Sequence, residues 1–147
     1  MDVPSNDFEE LFVAFNANHV RAIVVGGHAL AFHGHPRFTK DLDVFVEPTP
    51  ENGERIVRSL IEFGFAGLGL TAEDFSTAGP IVQLGVAPNR VDLLTAIDGV
   101  SFEEAWAGRA EGRFGRTPVA FLGRQEFLKN KRSAGRPQDL ADIHAIE

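Results

Sequence analysis

The sequence contains no cysteine, and this absence excludes disulfide bonds and thiolate metal sites. It also lacks any apolar run close to the roughly 18–20 residues that a membrane-spanning helix requires. The first ten residues, MDVPSNDFEE, are acidic, whereas a secretory signal peptide begins with positive charge. From these absences we expect a cytoplasmic protein that has no membrane among its partners.

The size and composition are those of an ordinary globular domain. The chain has 147 residues, of which 44% are hydrophobic and 24% are charged, and this is enough to form a substantial core. We therefore expect a single domain over residues 1–147. The net charge of −7 argues against a protein that coats nucleic acid nonspecifically.

Positive charge is nevertheless concentrated between residues 109 and 136. This segment contains eight lysines and arginines and two acids, which gives a local balance of +6. Two interpretations are open: a solvated surface, which is the usual meaning of a charge run, or a basic wall that faces an anionic ligand. The eight residues are Arg109, Arg113, Arg116, Arg124, Lys129, Lys131, Arg132 and Arg136.

Hydrophobic spacing and capping signals predict six helices. They are one through residues 8–15 with Ser5 or Asn6 as its cap, one over 28–33 closed by Gly34, one from 50 to about 63, one at 101–108 with a Ser101–Glu104 capping box, and two at 124–134 and 137–147, separated by Gly135. The residues expected to face inward from the third and the last helix are Ile56, Val57, Leu60, Ile61, Leu140, Ile143 and Ile146.

Short apolar stretches bounded by turn residues predict five strands. They are 22–25, 41–46, 81–86, 90–96 and 119–123, with a hairpin turn at 87–89. Residues 35–39 and 68–80 are predicted to be loops. The sum is an α+β fold, in which helices pack on a small mixed sheet and the C-terminal tail is helical.

The strand DLDVFV, residues 41–46, carries two carboxylates in an otherwise apolar stretch. Aspartate is a poor strand former, and a half-buried carboxylate is costly unless a cation or hydrogen-bond donors compensate it. Alternation puts Asp41 and Asp43 on one face, roughly 6.5–7 Å apart along the strand, so both can reach one ion. The alternative is a pair of surface carboxylates on an edge strand.

Asp92 repeats this pattern between Val91 and Leu93. If its strand lies beside strand 41–46, three carboxylates meet on one face of the sheet. Three oxygen ligands without cysteine suit Mg²⁺ or Mn²⁺ better than zinc.

A glycine pair, Gly26-Gly27, separates the first strand from the second helix. Glycine lets the backbone approach a ligand closely, and a helix N-terminus offers unpaired N–H groups to phosphate. Alone, such a pair is often only a tight turn.

The combination of GG at 26–27, HG at 33–34, R-x-T-x-D-x-D at 37–43 and VDLL at 91–94 resembles the nucleotidyltransferase superfamily with the polymerase-β-like core. The closest likeness is to small bacterial proteins of the AbiEii toxin type, with a more distant one to aminoglycoside and lincosamide nucleotidyltransferases. It covers residues 20–47, 90–106 and 127–143. The resemblance implies a nucleotidyltransferase fold with its core at about 20–97 and a C-terminal strand and helices at about 100–147.

The same resemblance implies an activity and a site. The activity is transfer of a nucleoside monophosphate from an NTP such as ATP to a hydroxyl of an RNA, a protein or a small molecule, in one setting as a toxin with a cognate antitoxin. Two Mg²⁺ or Mn²⁺ ions would act with the bound NTP. The implied catalytic and metal-binding residues are Asp41, Asp43 and Asp92, and the implied nucleotide-binding residues are Gly26, Gly27, Arg37, Thr39, Lys40 and Lys131.

Several alternatives remain open. Gly27 takes a position where many superfamily members have a serine, which leaves one phosphate donor fewer. Arg136 and Asp139 belong either to the site or to the packing of the last two helices, and His33 suits a helix C-terminus better than catalysis. The alternative functions are a non-catalytic nucleotide-binding or antitoxin-like module and a plain interaction domain.

Overall fold

The structure is a computed structural model that describes residues 6–35, 41–64, 69–85 and 90–146, with side chains from Phe8 onward. The described elements, in chain order, are α1 (Asn6–Ala17), β1 (Ala22–Val25), α2 (Gly26–Phe32), β2 (Leu42–Val46), α3 (Pro50–Phe63), a 3₁₀ helix (Ala72–Phe75), β3 (Ile81–Leu84), β4 (Val91–Leu94), α4 (Phe102–Ala107), β5 (Ala110–Phe114), β6 (Thr117–Phe121), α5 (Arg124–Ala134) and α6 (Pro137–Ile146).

The strands form one six-stranded sheet in the order β3-β4-β2-β1-β6-β5. The sheet is mixed: β2 runs parallel to β4 and β1 parallel to β6, while the β1–β2, β3–β4 and β5–β6 pairs are antiparallel. This architecture confirms the predicted α+β fold with helices on a mixed sheet. Within the described residues, none of the helices is long and apolar enough to cross a membrane.

Hydrophobic side chains alternate between the two faces of the sheet and build a core on each. One core joins Val24 and Val44 to α1 and α3, through residues such as Phe12 and Leu60. The other contains Phe45 with side chains from α2, α4, α5 and α6. Because Asp43 lies between two strand residues of the first core, its side chain faces the second core, on the side of α5 and α6.

The helices predicted from strong local signals are confirmed. In α3 the Thr49 side chain accepts a hydrogen bond from the Asn52 N–H, Pro50 occupies the first turn, and Gly64 ends the helix at φ +108°. In α4 the predicted capping box between Ser101 and Glu104 is present.

Two inward-facing predictions are wrong, because Ile61 and Leu140 are 54% and 51% exposed. In α3 the position beside Leu60 that faces the core belongs to Ser59, whose hydroxyl donates to backbone carbonyls. In α6 the inward positions belong to Asp139 and Asp142, which bind cations of the protein's own chain instead of packing in the core.

Three further elements differ from the prediction. The 3₁₀ helix lies in the segment predicted to be a loop and buries Phe75 completely. β5 was not predicted, and α2 begins at Gly26, two residues before the predicted start. The predicted hairpin between β3 and β4 is confirmed by their antiparallel pairing, although its turn and most of loop 35–39 lie outside the described residues.

Candidate functional site

Parallel pairing of β2 and β4 brings Asp43 and Asp92 side by side. The two residues are direct partners in the register of these strands, and neighbouring strands lie about 4.8 Å apart. Asp41 directly precedes β2, and strand alternation places it on the same face of the sheet as Asp43. The strand register therefore brings two of the three predicted carboxylates, Asp43 and Asp92, side by side, and Asp41 lies at the start of β2.

The glycine turn lies against this carboxylate cluster. β1 is antiparallel to β2 with Val25 opposite Asp43, so the chain leaves β1 beside that aspartate. Gly26 has φ +67°, and a β-carbon there would overlap with the Asp43 carboxylate. Both the backbone conformation and the close approach therefore require glycine at this position. Gly27 follows as a buried residue of α2.

Arg90 is the cation of the site, and the sequence prediction did not include it. Its Nη2 lies 3.0 Å from Asp41 Oδ2, and its Nε lies 3.3 Å from Asp92 Oδ1. The strand period could have revealed it, because Arg90 precedes Asp92 by two residues and so shares its face. The Arg90 carbonyl also accepts a hydrogen bond from the Leu42 N–H, and this holds the Arg90 backbone beside Asp41.

The two neighbouring carboxylates are difficult to ionise together. Burial, followed by the negative charges of Asp92 and Asp41, raises the pKa of Asp43 to about 6, against opposing effects of Lys131 and Arg90. Burial also raises the pKa of Asp92, and the Arg90 charge partly offsets this. Asp92 Oδ1 is buried without a hydrogen-bond partner among the described residues. The cluster is thus short of positive charge.

Lys131 lies behind Asp43, in the contact between α5 and α6. It is 8% exposed, and its Nζ lies 3.3 Å from Asp139 Oδ1 and 3.5 Å from Asp142 Oδ2. Arg136 binds the other Asp139 oxygen at 2.7 Å, and this hydrogen bond is the largest reason why the pKa of Asp139 is lowered to about 2. Lys131 therefore connects the C-terminal helices to the carboxylate site, since its charge lowers the pKa of Asp43.

The remaining predicted site residues are Arg37, Thr39 and Lys40, which lie outside the described residues. Two histidines make packing or hydrogen-bond contacts within the protein. His28 packs edge-on against Phe8 and Phe114, and the Nε2 of His33, the residue that follows α2, lies 2.7 Å from the Leu122 carbonyl oxygen.

The donor chemistry of the site fits a hard divalent cation. Its ligands would all be carboxylate oxygens, and the buried Asp92 Oδ1 without a donor is an atom that a cation would satisfy. In the present arrangement Arg90 supplies the positive charge between Asp41 and Asp92. Across the part of the chain that the structure describes, no three acidic or histidine side chains are arranged to hold a metal ion.

The basic residues of segment 109–136 lie just before and on β5, in the turn that follows it, on α5 and in the connection between α5 and α6. Most of those described have partners within the chain. Besides Lys131 and Arg136, these include Arg109, which pairs with Glu111 and covers the Trp106 ring, Arg113, which donates to the Arg116 carbonyl, Arg124, which donates to the Ile146 carbonyl, and Lys129, which pairs with Glu104.

Comparison with known proteins gives a structural likeness. The sequence matches no family model and no curated protein. A similar solved structure is that of an antigenic nucleotidyltransferase-like protein from Paracoccidioides brasiliensis, with a TM-score of 0.52 and 15% sequence identity over 98% of this chain and 75% of that chain. At this identity the likeness concerns the fold. The chain therefore has a nucleotidyltransferase-like fold, as its motifs predicted.

Proposed function

We propose that this protein is a metal-dependent nucleotidyltransferase, which moves a nucleoside monophosphate from an NTP to a hydroxyl acceptor and releases pyrophosphate. The observation that carries the proposal is the pairing of Asp43 with Asp92 beside the Gly26 turn. On a nucleotidyltransferase-like fold, this places carboxylates and a closely approachable backbone at one end of the sheet.

Asp41, Asp43 and Asp92 are the residues that would hold Mg²⁺ or Mn²⁺, with two ions accompanying the bound NTP. When bound, such ions stabilise the charge on the attacking and leaving oxygens of an in-line displacement. In the reaction the acceptor oxygen bonds to the α-phosphorus as the bond to pyrophosphate breaks. The hydroxyl proton would pass to Asp92, which is the proposed general base.

The nucleotide would lie along the glycine turn. Gly26 permits this turn to lie against the carboxylates, because any side chain at this position would collide with Asp43. Lys131 contributes positive charge from behind the carboxylates. Arg37, Thr39 and Lys40 remain the proposed phosphate contacts from the segment that precedes Asp41.

The biological setting that we propose is that of an AbiEii-type toxin with a cognate antitoxin, acting in the cytoplasm. Its support is the motif combination of residues 26–43 and 91–94. The acceptor is a hydroxyl of an RNA, a protein or a small molecule.

One observation favours a second candidate, a non-catalytic nucleotide-binding or antitoxin-like module. Arg90 forms ion pairs with two of the three carboxylates, so that a side chain takes the place of a cation. A protein that retained this arrangement permanently would bind a nucleotide without transferring part of it.

A labelling experiment tests the proposal. The protein is incubated with each α-³²P-labelled NTP, Mg²⁺ and cell extract, and the label is followed into a macromolecule or a small product. Asp43→Asn and Asp92→Asn should abolish labelling, while Glu111→Gln, which removes an exposed acid on β5, should not. Labelling that survives in Asp43→Asn would contradict the proposal. NTP binding without labelling would favour the non-catalytic module.

A further inference from the structure

The Arg90 guanidinium contacts the Asp41 and Asp92 carboxylates at the same time. It reaches Asp41 Oδ2 at 3.0 Å, Asp92 Oδ2 at 3.4 Å and Asp92 Oδ1 at 3.3 Å. Among the described residues, these two carboxylates receive all its side-chain hydrogen bonds and ion pairs. Arg90 is therefore bound to the oxygens that a divalent cation at this site would need.

A guanidinium and a divalent cation compete for these oxygens. Both are positive, so they repel each other, and both bind through the carboxylate lone pairs. Asp41 Oδ2 and both oxygens of Asp92 are engaged by the guanidinium, so a cation that coordinated these atoms would have to displace it.

The contact of Arg90 is weak enough to be displaced. The side chains of Arg90 and Asp41 are each 37% exposed, so this ion pair contributes little to stability, whereas the Asp92 side chain in the second pair is 12% exposed. The Nε atom lies close to Asp92 Oδ1 without the geometry of a hydrogen bond. Arginine also has a long, flexible stem, so the guanidinium can move away while its backbone stays bound to Leu42.

We propose that Arg90 is a displaceable counter-cation, which neutralises Asp41 and Asp92 until a divalent cation takes its place. The inference rests on the metal site of the proposed function. Its consequence is that Arg90 lowers the intrinsic affinity of the site for the cation, because each binding event must first break the arginine contacts.

Calorimetric titration of the full chain with Mn²⁺ alone tests this competition. Arg90→Met should bind Mn²⁺ on the order of ten-fold more tightly than the wild type, within the usual range of coupled binding. Arg113→Met is the matched control, because it removes the same charge from exposed β5 and should leave the affinity unchanged. Asp43→Asn identifies the site, since it should abolish the measured binding in both backgrounds.

A second measurement needs no substitution in the titrated protein. The Nε–H resonance of Arg90, assigned in the wild type by through-bond correlation to the Arg90 backbone, should shift on Mg²⁺ addition with the same midpoint as metal binding. This keeps the inference testable even if Arg90→Met does not fold.

The outcomes separate the inference from the function on which it rests. Two results would contradict the competition and leave the proposed metal site intact. One is Mn²⁺ binding that depends on Asp43 but is equally tight or weaker in Arg90→Met. The other is an Arg90 resonance that does not change when Mg²⁺ is added. If neither wild type nor Arg90→Met binds Mn²⁺ through Asp43, both proposals fall. Binding that appears only in Arg90→Met supports the inference most strongly.

Discussion

At the scale of single residues, Asp43 is the group whose ionisation is most costly to the fold. Its pKa is raised from 3.8 to about 6, chiefly by burial and then by its acidic neighbours. Between these two pH values the folded protein binds a proton that the unfolded chain releases. The stability contributed by this proton is therefore full below about pH 4 and is lost as the pH rises through about 6.

Replacing Asp43 by asparagine should consequently stabilise the protein at neutral pH. In buffer with a chelator, we expect Asp43→Asn to exceed the wild type by about 1–3 kcal/mol in unfolding free energy at pH 8. The difference should shrink towards zero at pH 4. Urea unfolding at both pH values measures this difference in free energy, with Glu54→Gln, at an exposed position of α3, as the control. An Asp43→Asn variant that is less stable at pH 8 would mean that the carboxylate holds the fold together.

His28 makes the opposite contribution to the pH dependence. Burial lowers the pKa of its imidazole from 6.5, and its Nε2 has no hydrogen-bond partner among the described residues. The unfolded chain therefore binds a proton that the folded protein resists, so stability falls as the pH drops below about 6.5.

His28→Leu should remove this contribution. The decrease in unfolding free energy from pH 7 to pH 5 should be smaller in His28→Leu than in the wild type. The control is His144→Leu, at an exposed position of α6, which should show the same decrease as the wild type. The comparison uses urea unfolding at each pH. Identical pH profiles for His28→Leu and the wild type would show that the ring is readily protonated in the folded state.

At the scale of elements, the contact between α5 and α6 depends on buried charge. Lys131 is enclosed with Asp139 and Asp142, and Arg136 adds a further bond to Asp139. Buried ion pairs add little over a well-packed apolar contact, but removal of one member leaves the other without compensation. Asp139, at 0% exposure, is the member whose loss costs most.

We expect Asp139→Asn to destabilise the protein by about 3 kcal/mol at pH 7. The double variant Lys131→Met/Asp139→Asn should recover part of this loss, because it removes a buried ammonium that retains only its longer contact with Asp142. Unfolding titrations of the four species in the cycle measure the coupling, and Glu103→Gln on the exposed side of α4 serves as the control. Additive effects of the two changes would show that Lys131 does not depend on Asp139.

Elements with their own local signals were predictable from the sequence. α3 has a cap, a first-turn proline and a terminal glycine, so its bounds follow from neighbouring residues alone. β5 lacks such signals, since much of it is exposed and it forms by pairing with β6 at the edge of the sheet. Ile61 and Leu140 were misplaced because polar residues with specific partners took the inward positions.

The site was predictable to the same extent. Asp43 and Asp92 could be identified because each is an acid in an apolar strand. Their contact depends on the parallel pairing of two strands that are distant in the chain. From the sequence this contact could be predicted only on the assumption that these two strands are neighbours. The strand period places Arg90 on the same face as Asp92, but its contact with Asp41 depends on the pairing of β2 with β4 and has no local signal.

At the scale of the whole molecule, charge bears on the acceptor. The net charge is −7, which opposes the approach of a long nucleic acid. Within the basic segment Lys131 is buried, and Arg109, Lys129 and Arg136 pair with acids of the protein. Four of the eight positive charges of the segment are thus engaged within the protein, so we expect a protein or a small molecule as the acceptor in preference to a long RNA.

The salt dependence of acceptor binding tests this expectation once an acceptor is identified. An RNA guided by segment 109–136 would lose roughly 0.7–0.9 log units of affinity per log unit of salt for each phosphate contact. Neutralising Arg113, Arg116 and Arg124 together would then flatten the slope by about two to three. We expect instead a slope near zero that the triple variant leaves unchanged, because a protein or small acceptor releases few counterions. A steep slope that the three substitutions flatten would identify RNA as the acceptor and this segment as its binding surface.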